Sequence, residues 1–242
     1  MHTIREAIGR GAPLFNAGDI ATCCAIYRSL AESFVEERSL CALHVHLLSA
    51  TLRSAPAEPR AAAWAFRNAY DHILLDGEFS PHLEAPLPSG FQPPGPVGVC
   101  VLKPFPPFRC ARTSTGGFGQ LFQHISSRGI AMTAPVLSSL APPPSGGAVD
   151  MAFLYQTQGT GVLGAAGNGV QVEDVPAQDC LCLGVRGEMG EGMRSIARQV
   201  LEEHMGAQGL RAVGAFRQAG FNSPMVPASQ RYWELQVPVE KA

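Results

Sequence analysis

The chain has 242 residues, of which 46% are hydrophobic and 16% charged, and its formal net charge is −2 with a pI of about 6.4. This charge balance excludes a broad basic face for nucleic-acid phosphates and removes any electrostatic attraction to anionic membranes. No apolar run reaches the roughly 18 residues of a membrane-spanning helix, so no membrane insertion is expected. Seven cysteines without a framework spacing are typical of a reducing compartment.

Residues 1–80 show apolar positions at helical spacing and no convincing strand, which predicts a small bundle of three or four helices. The helical pattern covers four stretches: 4–15, 20–35, 40–55 and 60–75. Asp19, in the turn NAGD, is the expected N-cap of the second helix. Residues 11–34 resemble a single tetratricopeptide-like hairpin, which suggests a protein partner for these helices. One hairpin is not an array, because stacked repeats are needed to build a solenoid.

Residues 81–96, PHLEAPLPSGFQPPGP, are dense in proline and predict a linker. Beyond it, over residues 97–242, strand patterns and helix patterns alternate. The helix patterns cover 117–129 and 191–209. The strand patterns cover 97–105, 107–114, 149–157, 169–175, 179–188, 210–221 and 231–239. The order forms two similar halves, which predicts an α+β domain with an antiparallel sheet, curved or closed, and two helices packed on it.

Two short motifs were tested against their local context. Gly159, Gly161 and Gly164 have the spacing of a dinucleotide-binding loop, but loop and strand patterns follow them, which favours a hairpin loop. His44 and His46 point apart on a helix, which favours partly exposed histidines over a metal pair. The cysteines lie in apolar periodic segments, where a thiol is inert, and there is no G-x-S-x-G elbow. No catalytic nucleophile is therefore expected.

The helix over 117–129 carries the residue of most chemical interest, His124. It lies between Phe122 and Ile125 in the run LFQHI. A neutral imidazole among apolar side chains can ligate haem iron. The alternative is a rim or core histidine that is satisfied by a hydrogen bond, and the sequence leaves both open.

Three runs, in order along the chain, resemble the SOUL/haem-binding protein family: FGQLFQHI, then IAMTAPV, then AGFNSPMVPASQRYWELQVPV. The resemblance spans roughly residues 97–239. It implies a distorted antiparallel β-barrel, built from a duplicated βαββ unit with two flanking helices. It also implies binding of a tetrapyrrole, haem or another porphyrin, by a carrier or buffer that is not an enzyme.

The resemblance places the ligand in an apolar groove beside the first helix of this domain. The groove residues that it implies are Phe118, Leu121, Phe122, Ile125 and Met132, with Met151 nearby. The basic residues that could meet the porphyrin propionates are Arg128, Arg109 and Arg112. His124 is the candidate iron ligand. The run AMTAPVLSS would be extended before Pro135, as either a wall of the site or a seam between helix and sheet.

The chain departs from the family pattern at several positions. Pro104, in KPFPP, stands where some members have a histidine proposed to bind iron. In GFNSP, Asn222 replaces an acid and Phe221 lacks a hydroxyl. The helix has Gln120 and Gln123 where the family tends to have basic residues. Haem bound here would have to use His124, another group, or no strong axial ligand.

Two alternatives to a tetrapyrrole carrier follow from other features. The helical hairpin and a barrel groove filled by a peptide or by the protein itself would make an interaction module. An enzyme acting on a tetrapyrrole or another small apolar molecule could use Glu234 and Arg231, near the start of the last strand. The sequence predicts a cytoplasmic protein, or a plastid one if a transit peptide has been removed.

Overall fold

A computed structural model describes residues 2–114, 117–142 and 145–242. The chain divides into two compact units, the first ending at Phe79 and the second running from Ser80 to Ala242. The described residues form six α-helices and ten β-strands. Among them, no helix has both the length and the apolar character that are needed to cross a bilayer.

The first unit consists of four helices. They are α1 (His2–Asn16), α2 (Ile20–Glu37), α3 (Ala42–Ser54) and α4 (Pro59–Asp76). The Asp19 side chain accepts from the backbone amide of Thr22, so its predicted role as the N-cap of α2 is confirmed. Tyr70 of α4 donates its hydroxyl to the carbonyl of Tyr27 in α2, and apolar residues from all four helices form the core of this unit.

The second unit contains a single sheet of ten strands and two helices. The strands are β1 (Cys100–Phe105), β2 (Phe108–Ser114), β3 (Val136–Ser139), β4 (Asp150–Leu154), β5 (Gly164–Ala165), β6 (Gln171–Val175), β7 (Gln178–Arg186), β8 (Leu210–Ala212), β9 (Arg217–Gly220) and β10 (Tyr232–Lys241). The helices are α5 (Phe118–Ser126) and α6 (Glu191–Gln208). The predicted α+β class is confirmed.

The sheet is duplicated. Its order is β1-β7-β10-β9-β3-β4-β2-β6-β5, with β8 on β10, and the named strands pair antiparallel. The series β2-α5-β3-β4 in the first half corresponds to β7-α6-β9-β10 in the second. In the same correspondence β6 precedes the second series as β1 precedes the first. The sheet order from β1 to β6 is therefore symmetric: strands at equal distances from the β3–β9 pair are counterparts of each other. The two halves meet where β3 pairs with β9.

The sheet is open, so the closed barrel that the resemblance implied is wrong. Its path begins at β1 and ends at β5, a strand of two residues. Gly161, Gly164, Gly167 and Gly169 all have positive φ, a backbone conformation that does not continue a regular strand. The glycine-rich stretch therefore turns on both sides of the short edge strand β5, which contains Gly164 and pairs with β6, and no helix follows it.

The proline-rich segment 81–96 has neither helix nor strand, and it is bonded to the second unit along its length. Its Pro86 carbonyl accepts from the amide of Ala134, and its Ser89 amide donates to Gln156. Phe91 packs edge-on against Phe105 and Phe108. These contacts make the segment part of the packing of this unit.

Candidate functional site

Helix α5 contributes residues to two separate concave surfaces. Leu121 and Ile125, four residues apart and so on one face, are buried against the sheet. Phe118 and Phe122 are also four residues apart, on another face, where they are 45% and 52% exposed. Their rings stack 6.2 Å apart with an interplanar angle of 9°. The aromatic pair is therefore an apolar surface that the fold leaves in solvent.

The first concave surface is an apolar groove of about 280 Å³ beside the start of α5. We call it the methionine groove and define it by Phe118, Met132, Met151, Met189, Gly220 and Phe221. The first three belong to the first half of the sheet and the last three to the second. The groove thus lies where the two halves join, because Val136 of β3 pairs with Gly220 of β9.

The run AMTAPV supplies one wall of this groove. Met132, Thr133, Ala134 and Val136 all line it. The Thr133 hydroxyl is buried and donates to the carbonyl of Leu154 at 2.7 Å. The Ala134–Pro135 peptide bond is cis. The run is thus both a wall of the groove and a seam to the sheet, the two roles that the sequence left open.

The second concave surface is larger, about 720 Å³. We call it the His124 depression and define it by His124, Arg128, Tyr155 and residues 160–163 of the glycine-rich loop. His124 is only 5% exposed, and its Nε2 lies 2.7 Å from the Tyr155 hydroxyl. Its Nδ1 is buried and has no hydrogen-bond partner among the residues that the structure describes.

Burial, and then the positive charge of Arg128, lowers the pKa of His124. Burial also raises the pKa of Tyr155. The two side chains therefore form a neutral hydrogen bond, not an ion pair. His124 does not line the methionine groove, and its Nε2 is already engaged. As placed here, it does not fit the role of axial ligand to an iron in that groove.

The three predicted propionate partners also lie outside the groove. Arg109 forms two hydrogen bonds with Asp174, at 2.8 and 3.0 Å. Arg112 bonds Glu173 and Asp150, both at 2.6 Å. Arg128 is exposed and donates to backbone carbonyls, among them that of Ala166 at 3.1 Å. Two of the three guanidinium groups thus already have carboxylate partners.

The predicted site residues divide among four places. Phe118 and Met132 line the methionine groove, and Met151 joins them. His124 and Arg128 line the depression. The other three lie elsewhere: Leu121 and Ile125 in the core, and Phe122 on the surface beside Phe118. The structure does not bring all seven predicted residues into one cavity.

Glu234, proposed from the sequence as a possible pocket acid, lies in the core with 1% exposure. One carboxylate oxygen accepts from Lys103 at 2.6 Å and from Tyr232 at 2.9 Å, and the other from Gln236 at 2.9 Å. The Gly95 amide completes the set at 2.9 Å. These bonds satisfy the carboxylate fully, so it anchors the segment before β1. Its companion Arg231 donates to two backbone carbonyls.

Sequence reasoning missed the half of the groove that comes from the second half of the sheet. Phe221 was visible in the run GFNSP, whereas Met189 follows β7 with no motif around it. Arg194 of α6 was also missed. It donates to the Met189 carbonyl at 3.0 Å and lies 3.4 Å from Gln218, which lines the groove. The Arg194 Nε is buried without a hydrogen-bond partner among the described residues.

The known proteins that align with this chain are too dissimilar in sequence and structure to indicate its function. No family model matches the chain, and neither does any curated protein. Solved structures that align include the EcmrR C-terminal domain, at 14% identity and a TM-score of 0.47, over 60% of this chain and 98% of that one. In the complex of EcmrR with DNA, the alignment has 15% identity and a TM-score of 0.47, and it covers 60% of this chain and 58% of that one. A hydrolase from Listeria innocua aligns at 13% identity and a TM-score of 0.43, over 60% and 94%.

Proposed function

We propose that the second unit binds a flat apolar ligand of the tetrapyrrole class, haem or a related porphyrin, in the methionine groove and acts as its carrier or buffer. The observation that carries this proposal is the groove itself. Three methionines and two phenylalanines line a cavity that opens beside the exposed, stacked pair of Phe118 and Phe122. The resemblance of the sequence to the SOUL/haem-binding family supports the same ligand class.

The chemistry of the groove suits a flat apolar ring. Methionine side chains adapt their shape to a ligand, and their polarizable sulfur makes favourable contacts with aromatic rings. Each Å² of apolar surface removed from water contributes roughly 25 cal/mol. At about 280 Å³ the groove is slightly smaller than typical ligand pockets, which hold about 300–1,000 Å³. A porphyrin would insert one edge and rest its face on the exposed aromatic pair, and such partial burial suits a ligand that is passed on.

Arg194 is the basic group best placed for the propionates. Its guanidinium group contacts Met189 and Gln218, which both line the groove. Among the described residues it has no carboxylate partner within ion-pair distance, in contrast with Arg109 and Arg112. A guanidinium group binds a carboxylate through two parallel hydrogen bonds. The proposal therefore moves the propionate contact from Arg109, Arg112 and Arg128 to Arg194 of α6.

Among the described residues that line the groove there is no histidine, and this leads to a specific expectation about iron. If apolar packing holds the ring, then hemin and metal-free protoporphyrin bind with similar affinity. The test is a titration of the whole chain with each, followed by the Soret band and by quenching of tryptophan fluorescence. No saturable change with either ligand would refute the proposal. Binding of hemin alone would show that iron ligation is required.

Two matched variants locate the site. A side chain added at Gly220 points at Met189 with ordinary contact, 3.6 Å, so Gly220→Leu fills the methionine groove. Ala165→Leu places the same leucine side chain in the lining of the His124 depression. We expect Gly220→Leu to weaken protoporphyrin binding at least tenfold and Ala165→Leu to leave it unchanged, with both variants folded by circular dichroism. The opposite pattern would place the ligand in the depression.

A further inference from the structure

The His124 depression has no acidic side chain among the described residues that line it. Of those residues Arg128 alone is ionised at neutral pH, because a lowered pKa keeps His124 neutral. The Arg128 guanidinium donates to three oxygen atoms, and none of them is a carboxylate: the Ser127 hydroxyl and the carbonyls of His124 and Ala166. A guanidinium group has five N–H donors, so donors remain for a ligand. The depression therefore presents one uncompensated positive charge.

The charges next to the glycine-rich loop cancel each other. Arg109 binds both carboxylate oxygens of Asp174. The same guanidinium donates to the carbonyls of Thr160 and Gly161, at 3.2 and 2.9 Å. This ion pair thus ties the loop to β2 and β6 and adds no net charge, so Arg128 sets the charge of the depression.

The His124–Tyr155 pair supplies a neutral donor. A proton on the buried Nδ1 of His124 would be an unpaired N–H among the described residues, an arrangement that is rare in proteins. The hydrogen-bond network therefore assigns the proton to Nε2, which donates to the Tyr155 oxygen at 2.7 Å. Burial raises the pKa of Tyr155 against the smaller opposing influence of Arg128, so the hydroxyl keeps its own proton. Tyr155 lines the depression, and that proton is available to a ligand there.

The glycine-rich loop gives the depression exposed aliphatic surface. Val162 and Leu163 both line it and are 86% and 52% exposed. Ile130 and Val172 add to the same lining. Large aliphatic side chains in a concave surface gain free energy when a ligand removes them from water. The lining thus combines apolar surface with one guanidinium group and one hydroxyl donor.

The C-terminal end of α5 lies at this depression, and a helix C-terminus disfavours anions through its unpaired carbonyls. Here the carbonyls of residues 123–126 all accept hydrogen bonds from residues 127–130. One of these donors is the Arg128 side chain, which places a positive charge at the helix end. The end of α5 therefore offers a negatively charged ligand a cation in place of bare carbonyl oxygens.

We infer that the His124 depression binds an amphipathic monocarboxylate, with its carboxylate on Arg128 and the Tyr155 hydroxyl and its apolar body on Val162 and Leu163. A guanidinium group holds a carboxylate through two parallel hydrogen bonds, and one positive charge matches one negative charge. A phosphate dianion would need more positive charge than the described lining residues provide. The inference goes beyond the tetrapyrrole proposed for the methionine groove and does not depend on it.

The test is a calorimetric titration of the whole chain with decanoate and with decyltrimethylammonium, which has the same alkyl chain and the opposite charge. We expect decanoate to bind saturably and at least about tenfold more tightly than the cation, since Arg128 attracts one and repels the other. Equal affinity for the two probes, or no saturable binding of decanoate, would overturn the inference.

Substitutions at the two donors assign the carboxylate contact. Arg128→Gln should weaken decanoate binding at least about tenfold, and Arg128→Lys, which keeps the charge, should weaken it less. Tyr155→Phe should weaken it severalfold. Arg10→Gln, at an exposed arginine of α1, removes the same charge elsewhere and should leave the affinity unchanged. An equal loss in Arg10→Gln and Arg128→Gln would show that net charge, and not this site, governs binding.

The two leucine variants decide which concave surface takes the carboxylate. Ala165→Leu should weaken decanoate binding at least about tenfold, and Gly220→Leu should leave it unchanged, the reverse of the pattern expected for protoporphyrin. If Gly220→Leu alone weakens it, decanoate occupies the methionine groove and the inference fails. Protoporphyrin titrations of the same variants report on the tetrapyrrole proposal separately, so either idea can fail without the other.

Discussion

The methionine groove and the His124 depression lie at different parts of α5 and differ in both size and lining. The depression is larger, about 720 Å³ against about 280 Å³ for the groove. Its walls include backbone of the glycine-rich loop and the arginine Arg128, whereas sulfur and aromatic carbon line the groove. The groove has the more apolar lining of the two, so the smaller surface is the better site for an apolar ring.

The largest stability difference between the two surfaces should come from matched threonines. Thr133 is buried in the wall of the groove and donates to the Leu154 carbonyl, so Thr133→Val leaves that carbonyl unpaired. We expect a loss of about 1–3 kcal/mol in the free energy of unfolding. The exposed hydroxyl of Thr157 bonds to that of Thr160 in the loop by the depression, and Thr157→Val should change stability by less than about 0.5 kcal/mol. Urea unfolding measures the free-energy change of each variant. Equal losses in the two variants would contradict the expected difference between the groove wall and the exposed loop.

A smaller effect is expected from the hydrogen bond at the depression. Tyr155→Phe removes the only partner recorded for His124 Nε2 among the described residues. The loss should be about 1 kcal/mol, typical of one neutral hydrogen bond. Thermal unfolding monitored by circular dichroism measures it. Porphyrin binding should be unaffected, because neither member of the pair lines the methionine groove; weaker binding would connect the two surfaces.

The same pair gives the second unit a pH dependence. The pKa of His124 is lowered in the folded state, so the unfolded chain binds the proton first as the pH falls below about 6.5. Stability should therefore decrease from pH 7 to pH 5, by about 1 kcal/mol or less from this group. Comparing urea midpoints of the wild type and His124→Gln isolates the contribution. If stability fell more steeply with pH in the variant than in the wild type, the pKa of His124 would be raised on folding, not lowered.

The smallest effect on stability is expected at Phe122. Its ring is 52% exposed and stacks on Phe118 at the surface, so Phe122→Ala should change the free energy of unfolding by about 0.5 kcal/mol or less. Its effect on protoporphyrin affinity should be larger, severalfold, if the ring supports the face of the ligand. Fluorescence titration of this variant against wild type decides whether the exposed pair belongs to the site.

Much of the fold was predictable because its signals are local. The two faces of α5 follow from a four-residue spacing, which places Leu121 with Ile125 and Phe118 with Phe122. The duplicated series of strands and helices along the chain and the turning glycine-rich loop also follow from patterns within a few residues. The open sheet was not predictable from the same patterns, because closure depends on whether the terminal strands β1 and β5 find partners.

The sequence by itself determined which residues are helical, which are extended and which face is apolar, since backbone preference and side-chain spacing act over one or two turns. Only the tertiary structure decided what those faces meet. The β3–β9 pairing brings Met189 and Phe221 to Met132 and so forms the groove. The end of α4 brings the Asp76 carboxylate to within 3.0 Å of the imidazole of His44, 32 residues earlier. Contacts between residues this far apart in the chain leave no mark in local periodicity.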